Sequence, residues 1–202
     1  MTKYIVFDFD GTIADTFEVV KNIAKDELGA SENIFKSLKD DGIRTTMEKE
    51  GISIWKLPKM ALKVKSKLRE AENINLFSGI AELMNGLKNN YKLGIVSSNS
   101  EQDILKILER YNIQNLFEFI YSDSSIFGKH LVLKRMCKKY KIIPEGVIYV
   151  GDEDRDIIAA KKNNIKNIAV TWGFNSRERL SKVNPDFIVD APLQIVNIVS
   201  SI

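Results

Sequence analysis

The sequence has little that would take the chain out of a reducing compartment or into a membrane. It has one cysteine, Cys137, among 202 residues, so no disulfide can form within the chain. The N-terminus leads from Met1-Thr2-Lys3 straight into a short apolar run that ends in acids, without the features of a signal peptide. No run of about 18 apolar residues occurs. We therefore expect a cytoplasmic protein without a membrane partner.

Histidine is also scarce, and the net charge is small. His130 is the only histidine, which excludes a histidine-based metal site or an Asp-His-Ser triad, so we interpret it as structural. A formal net charge of +3 suits an anionic substrate but is too small to indicate nucleic-acid binding. The lysine-rich segment 56–69 has apolar residues at helical spacing, which favours a solvated helix face over a nucleic-acid patch. No Walker A loop is present.

Short runs of β-branched and aromatic residues recur along the chain and predict buried strands. These runs cover residues 4–9, 93–96, 119–121, 147–150, 168–170 and 187–189. Segments with apolar residues at helical spacing lie between most of them. Strands that alternate with helices predict an α/β fold around a parallel sheet.

The connection after the first predicted strand is much longer than the others and has a helical pattern throughout. Its clearest apolar stripe consists of four residues, Leu57, Ala61, Val64 and Leu68. We predict a helical insertion over residues 16–76 and an α/β core made of residues 1–15 and 77–202. Ser78 is the predicted N-cap of the helix that follows the insertion.

Carboxylates follow two of the predicted strands, at the edge where ligands collect in an open parallel sheet. Asp8 and Asp10 are two residues apart, so they share one face unless the chain turns between them, and Asp152 follows the fourth strand. Converging carboxylates are unfavourable without a cation, and Mg²⁺ prefers such oxygen ligands. For Asp8 and Asp10 alone, a strand end followed by a solvated turn is an equally good interpretation.

A calcium loop is an alternative for the acidic segment 152–163. Such a loop needs glycine at its sixth position and glutamate at its twelfth. The sequence has Ile157 and Asn163 at those positions, so this alternative fails.

Polar residues also stand at two predicted helix starts. Ser97 and Ser98 precede a helix that begins near Glu101, where a helix N-terminus favours an anion, although ordinary N-capping by serine explains them equally well. Lys129 begins another helix and would reach a phosphate or a carboxylate at the rim of the sheet. A solvated lysine is the alternative there.

Taken in order, these residues resemble the four motifs of the haloacid dehalogenase (HAD) superfamily. Asp8-Phe9-Asp10-Gly11-Thr12 resembles the first motif, Ser97 the second, Lys129 the third, and Gly151-Asp152-Glu153-Asp154-Arg155-Asp156 the GDxxxD form of the fourth. The insertion is similar to a C1-type cap, and the whole pattern looks most like phosphoglycolate phosphatases and their relatives. The resemblance covers nearly the whole chain and implies a Rossmann-like parallel core.

The resemblance also implies a magnesium-dependent phosphatase that hydrolyses a small phosphomonoester through an aspartyl-phosphate. Asp8 would attack phosphorus, while Asp10 would protonate the leaving oxygen and then activate water. The side chains of Asp8 and Asp152, with the backbone carbonyl of Asp10, would hold Mg²⁺.

Further residues have implied roles around the phosphoryl group. Ser97, Ser98 and Lys129 would bind its oxygens, and Lys129 would also offset the charge of the nucleophile. Asp156 would support the magnesium shell or order Lys129. Arg44, within the insertion, is predicted to contact the anionic substrate, with a surface salt bridge as its alternative.

Asp10 indicates a phosphatase within the superfamily, because a dehalogenase has no leaving oxygen to protonate and lacks this second aspartate. Two alternatives stay open. A sugar phosphomutase of the β-phosphoglucomutase type shares the catalytic residues but returns the phosphoryl group to its substrate. A non-catalytic metal- or phosphate-binding module would use the acids only for binding. The expected partner is a small phosphorylated metabolite.

Overall fold

The computed structural model describes residues 3–28, 30–56, 59, 62–63, 66, 74–123 and 128–202, and a six-stranded sheet lies at its centre. The strands are β1 (Tyr4–Asp8), β2 (Lys92–Ser97), β3 (Phe117–Ser122), β4 (Val147–Gly151), β5 (Lys166–Val170) and β6 (Phe187–Val189). All neighbours pair in parallel, in the order β3-β2-β1-β4-β5-β6. The predicted parallel α/β sheet is confirmed, with strand ends that differ from the prediction by at most two residues.

Helices connect the strands in the described part of the chain. They are α1 (Phe17–Leu28), α2 (Glu32–Asp41), α3 (Ile43–Lys49), α4 (Ile80–Leu87), α5 (Glu101–Glu109), α6 (Lys129–Tyr140), α7 (Asp154–Lys161), α8 (Arg177–Lys182) and α9 (Gln194–Ser201). Short 3-10 turns occur at Ile54–Lys56, Gln114–Leu116 and Pro144–Gly146. Among these helices none combines the length and the apolar character that crossing a membrane requires.

The sheet is covered on both faces, which explains why its strands are nearly continuous apolar runs. In β1, Ile5 and Phe7 belong to the core on one face, together with residues of α4, α5 and α9. Val6 belongs to the core on the other face, with residues of α6 and α7. Successive side chains of a strand point to opposite faces, so one apolar run serves both layers.

The strand order reverses direction at β1, which places a crevice at the carboxyl ends of the central strands. β2 and β3 lie on one side of β1, and β4, β5 and β6 lie on the other. Asp8, the last residue of β1, pairs with Val96, and Phe7 pairs with Val150. The ends of β1, β2 and β4 therefore meet at one edge of the sheet.

Helices α1, α2 and α3 form an insertion between β1 and α4. Ala24, Ala30 and Phe35 make a small apolar cluster there that is separate from the two cores of the sheet. The division into a core and a cap of residues 16–76 stays a prediction. The predicted apolar stripe of Leu57, Ala61, Val64 and Leu68 lies outside the described residues.

The helix after the insertion, α4, begins at a glycine rather than at the predicted serine. Gly79 occupies the N-cap position with φ of 85°, and no side chain caps the helix by a hydrogen bond. The prediction of Ser78 as the N-cap is therefore wrong. The chain turns into the helix through a left-handed backbone conformation, which glycine adopts at little cost.

Leu83 of α4 tests how much the core contributes to stability. It is fully buried, so Leu83→Ala should lower the free energy of unfolding by about 2–5 kcal/mol, through lost burial and the cavity left behind. Leu131 of α6 is 46% exposed, and Leu131→Ala should cost about 1 kcal/mol or less. Urea denaturation of both variants measures the difference, and equal losses would contradict this description of the core.

Candidate active site

A tight turn follows β1 and is held by backbone hydrogen bonds among residues 9–14. The carbonyl of Phe9 accepts hydrogen bonds from the amides of Ile13 and Ala14, each at 2.9 Å. Gly11 has φ of 74° and donates its amide to the carbonyl of Ala14 at 2.9 Å. The turn begins directly after Asp8, the last residue of β1, and contains Asp10.

Lys129 links two buried carboxylates at this edge. Its Nζ lies 2.5 Å from Oδ2 of Asp8 and also contacts Oδ1 of Asp156. Oδ1 of Asp8 accepts a hydrogen bond from the amide of Phe9 at 2.9 Å. The lysine side chain is 17% exposed. The alternative of a solvated lysine at this helix start is therefore wrong.

Asp152 follows β4, is fully buried, and receives one hydrogen bond at each carboxylate oxygen. The hydroxyl of Thr12 donates to Oδ1 at 2.8 Å, and the amide of Phe174 donates to Oδ2 at 2.7 Å. The two donors come from opposite ends of the chain. Asp152 is thus oriented by groups that sequence reasoning did not assign to it.

Glycines surround Asp152 because no side chain would fit there. A Cβ at Gly11 or at Gly173 would collide with Oδ2 of Asp152. The indole of Trp172, next to Gly173, donates to the carbonyl of Thr12 at 3.0 Å. These residues therefore pack around the acid.

Asp8, Asp152 and Asp156 together form a cluster that fits a divalent cation. Each offers one carboxylate oxygen, and the three oxygens lie within 4.8 Å of one another. All three residues are buried, and oxygen-only ligands suit a hard cation such as Mg²⁺. The structure thus brings Asp156, predicted as a supporting residue, beside Asp8 and Asp152. The predicted contribution of the Asp10 carbonyl stays a prediction.

Burial makes this cluster electrostatically unfavourable without a cation. Burial raises the pKa of Asp8 to about 7, although Lys129 opposes the rise. Burial, followed by repulsion from Asp156, raises the pKa of Asp152 well above its usual range. Burial alone would lower the pKa of Lys129, but Asp156 and Asp8 raise it well above its usual value. Lys129 therefore stays positively charged beside a cluster of three acids.

Asp10 has a different partner from Asp8. Nδ2 of Asn99 lies 3.1 Å from Oδ1 and 2.9 Å from Oδ2 of Asp10. Burial raises the pKa of Asp10, and the hydrogen bond from Asn99 opposes that rise. Sequence reasoning missed this role of Asn99, and its position two residues after Ser97 was the only available signal.

Ser97 and Ser98, at the end of β2, do not cap the following helix. Ser100 is the N-cap of α5, and its Oγ accepts a hydrogen bond from the amide of Asp103 at 3.2 Å. Ser97 is 3% exposed, and its Oγ accepts from the amide of Asn99 at 3.0 Å. Ser98 is exposed at the rim. N-capping therefore does not explain Ser97 or Ser98, and their predicted contact with phosphate stays a prediction.

Two other residues singled out in the sequence, Arg44 and His130, lie in helices α3 and α6. Arg44 lies in α3 with an exposed side chain, and its predicted contact with the substrate stays a prediction. His130 is the second residue of α6, and its carbonyl accepts a hydrogen bond from Nδ2 of Asn163 at 2.9 Å. This contact involves only the backbone of His130, so the structural role of its side chain stays a prediction.

Fold and site together define an α/β enzyme with an acidic centre at the carboxyl ends of a parallel sheet. Residues 5–170 match the family of haloacid dehalogenase-like hydrolases, and the chain belongs to this family. It is an enzyme of the phosphatase kind within that family.

Individual relatives extend the similarity along the whole chain. Phosphoglycolate phosphatase from Synechococcus elongatus is 32% identical over 206 residues, which cover 98% of this chain and 97% of that protein. Pyrophosphatase PpaX from Oceanobacillus iheyensis is 28% identical over 213 residues, with 98% and 96% covered. The crystal structure of a predicted phosphatase from Clostridium acetobutylicum has a TM-score of 0.81 at 24% identity and full coverage of both chains, a likeness of fold alone.

The raised pKa of Asp8 predicts how pH affects the stability of the cation-free protein. Between about pH 4 and pH 7 the folded state binds more protons at Asp8 than the unfolded state, so the free energy of unfolding should fall as pH rises. Asp8→Asn removes this group and should make the fall shallower. Urea denaturation of chelator-treated protein across this range measures both slopes. Equal slopes for wild type and variant would contradict the assignment.

Proposed function

We propose that the protein is a magnesium-dependent phosphatase that hydrolyses a small phosphomonoester through an aspartyl-phosphate on Asp8. The observation that carries the proposal is that the two acids of the first motif have different partners. Asp8 is paired with Lys129, whereas Asp10 is held by Asn99. Two neighbouring carboxylates with different partners suit two different chemical roles.

Asp8 has the surroundings that a carboxylate nucleophile needs. The amide of Phe9 and the ammonium of Lys129 each hold one of its oxygens, which limits its rotation. Lys129 also keeps a positive charge beside it, which favours the reactive carboxylate form. In the first step an oxygen of Asp8 forms a bond to phosphorus as the bond to the leaving oxygen breaks.

Asp10 would serve as acid and then as base. Its raised pKa favours a proton on the carboxyl, which it gives to the leaving oxygen in the first step. The resulting carboxylate then takes a proton from the water that attacks the phosphoryl group on Asp8. This second step releases inorganic phosphate and restores both acids to their starting states.

The three clustered acids would hold Mg²⁺ through the side chains of Asp8 and Asp152, with Asp156 beside them and the carbonyl of Asp10 as a further ligand. When bound, the ion would offset the carboxylate charge and stabilise charge on the transferring phosphoryl group. Lys129 and the hydroxyl of Ser97 would bind phosphoryl oxygens, with Ser98 at the rim. The Oγ of Ser97 accepts from Asn99, so its own proton is left for the substrate.

Similarity to relatives guides the proposed substrate class. The relative from Synechococcus elongatus is named a phosphoglycolate phosphatase, and the one from Oceanobacillus iheyensis a pyrophosphatase. We propose a small phosphorylated metabolite of the phosphoglycolate type, in the cytoplasm, with neither a nucleic acid nor a membrane as partner. Arg44 is proposed to contribute to its selection.

Asp8→Asn tests whether the site is catalytic. Phosphate release from a panel of phosphoglycolate, sugar phosphates, nucleotides and pyrophosphate, with Mg²⁺, should occur with wild type and fall to background with the variant. The exposed acid Asp190 provides the control, because Asp190→Asn should keep wild-type turnover. No release by wild type from any compound would refute the proposal. Isomerised sugar phosphate without release would instead identify a phosphomutase.

Asp10→Asn separates the two proposed chemical steps. With p-nitrophenyl phosphate, whose leaving group needs no proton, Asp8 should still be phosphorylated, but the intermediate should accumulate because no base activates water. Acid quenching followed by mass spectrometry of the peptide with Asp8 should reveal the phosphoryl group in the variant. A variant that turns over like wild type, or that never becomes phosphorylated at Asp8, would contradict this mechanism.

A further inference from the structure

The segment after β5, residues 172–176, contacts both Asp152 and the helical insertion, and we call it the strap. Three successive amides of the strap donate hydrogen bonds. Phe174 donates to Oδ2 of Asp152 at 2.7 Å, and Asn175 donates to the carbonyl of Asp152 at 3.3 Å. Ser176 donates to the carbonyl of Lys39 in α2 at 3.1 Å. A few residues of backbone thus join the acidic centre to the insertion.

The side chain of Arg179 in α8 binds the side chain of Asn175 in the strap. Its Nε donates to Oδ1 of Asn175 at 3.2 Å, and its Nη2 lies 2.5 Å from Oδ2 of Asp154. The same oxygen of Asn175 accepts the amide of Asp154 at 2.8 Å. Asn175 is 5% exposed, so its side chain has little access to water as a substitute partner.

The guanidinium of Arg179 also lies directly against the insertion. Gly42 ends α2 and precedes α3, and a Cβ on this glycine would collide with the guanidinium. Contact at this distance is possible only because position 42 has no side chain. Arg179 therefore touches the helical insertion at Gly42 and the strap at Asn175.

Aromatic packing makes a second connection between the same two parts. The rings of Phe17 in α1 and Phe174 in the strap meet edge to face, with centroids 5.5 Å apart. Nζ of Lys39 lies 4.8 Å from the centroid of Phe17. The amide of Phe174 is the donor that orients Asp152, so displacement of this ring would move that donor.

We propose that Arg179 is a positioning residue that couples the seating of α2 and α3 on the sheet to the orientation of Asp152, and so to divalent-cation binding. Without the guanidinium, Oδ1 of Asn175 loses one of its two donors and keeps the amide of Asp154. The strap can then shift, and with it the two amides that hold Asp152. The proposal rests on the magnesium site of the proposed function. Coupling between two sites is reciprocal, so a bound cation should also steady the insertion.

Arg177 supplies a matched control on the same helix. It lies two residues before Arg179 and also pairs with an aspartate, Asp190, at 2.7 Å. That pair is more than half exposed on both sides, so its loss should change little. Arg179→Gln and Arg177→Gln therefore remove the same charge from the same helix, but only the first removes a contact with the strap.

Calorimetric titration of Mg²⁺ into substrate-free protein tests the coupling. Arg179→Gln should weaken Mg²⁺ binding by about tenfold, the lower end of the loss seen when a partner of a metal ligand is removed. Arg177→Gln should bind Mg²⁺ like wild type. Phe17→Leu disturbs the contact from the insertion side and should also weaken binding, which keeps the test available if Arg179→Gln does not fold.

Hydrogen exchange separates coupling from a merely structural role. In wild type and in Arg177→Gln, Mg²⁺ should slow exchange of the amides of residues 39–44, and in Arg179→Gln this slowing should be lost. Wild-type Mg²⁺ affinity in Arg179→Gln, or no effect of Mg²⁺ on residues 39–44 in wild type, would overturn the inference. If wild type binds no Mg²⁺ at all, the magnesium site of the proposed function fails as well.

Discussion

The contact of one ammonium with two buried carboxylates is the constraint on which the site depends. Lys129 reaches Asp8 and Asp156 from the first residue of α6, at a cluster of three acids. Buried charge is costly unless it is paired, so the lysine favours the ionised form of Asp8, although burial still raises the pKa of this acid. The cluster is left short of positive charge. That shortage supports the proposed binding of a divalent cation, and the strand order that converges on this edge makes the arrangement possible.

The elements and acids of the core were predictable because they follow from local rules. β-Branched runs buried on both faces indicate strands, and the carboxyl ends of parallel strands meet, so Asp8 and Asp152 were expected at one edge. The contacts that orient these acids were not predictable. The bond from Phe174 to Asp152 and that from Asn99 to Asp10 depend on how turns place groups far apart in sequence, which no periodicity encodes.

The residues that cap the helices were also not predictable from the sequence. Serine is a favoured N-cap, yet Gly79 begins α4 and Ser100, rather than Ser97 or Ser98, caps α5. The exact terminal residue of a helix is the feature that sequence patterns determine least well. The hydroxyl of Ser97 instead accepts a hydrogen bond from the amide of Asn99.

The enclosure of Asp152 by two glycines has a consequence for how the protein is made. Gly11 and Gly173 both lie against this acid, and the neighbouring bond from Trp172 to Thr12 spans 160 residues. A nascent chain that has emerged as far as α7 already contains both acids of the first motif, the lysine and Asp152. It still lacks Gly173 and Phe174, which lie against Asp152 in the folded protein. The acidic centre is therefore completed late in synthesis, after most of the sheet has had the opportunity to form, so an incomplete chain carries the acids without an organised metal site.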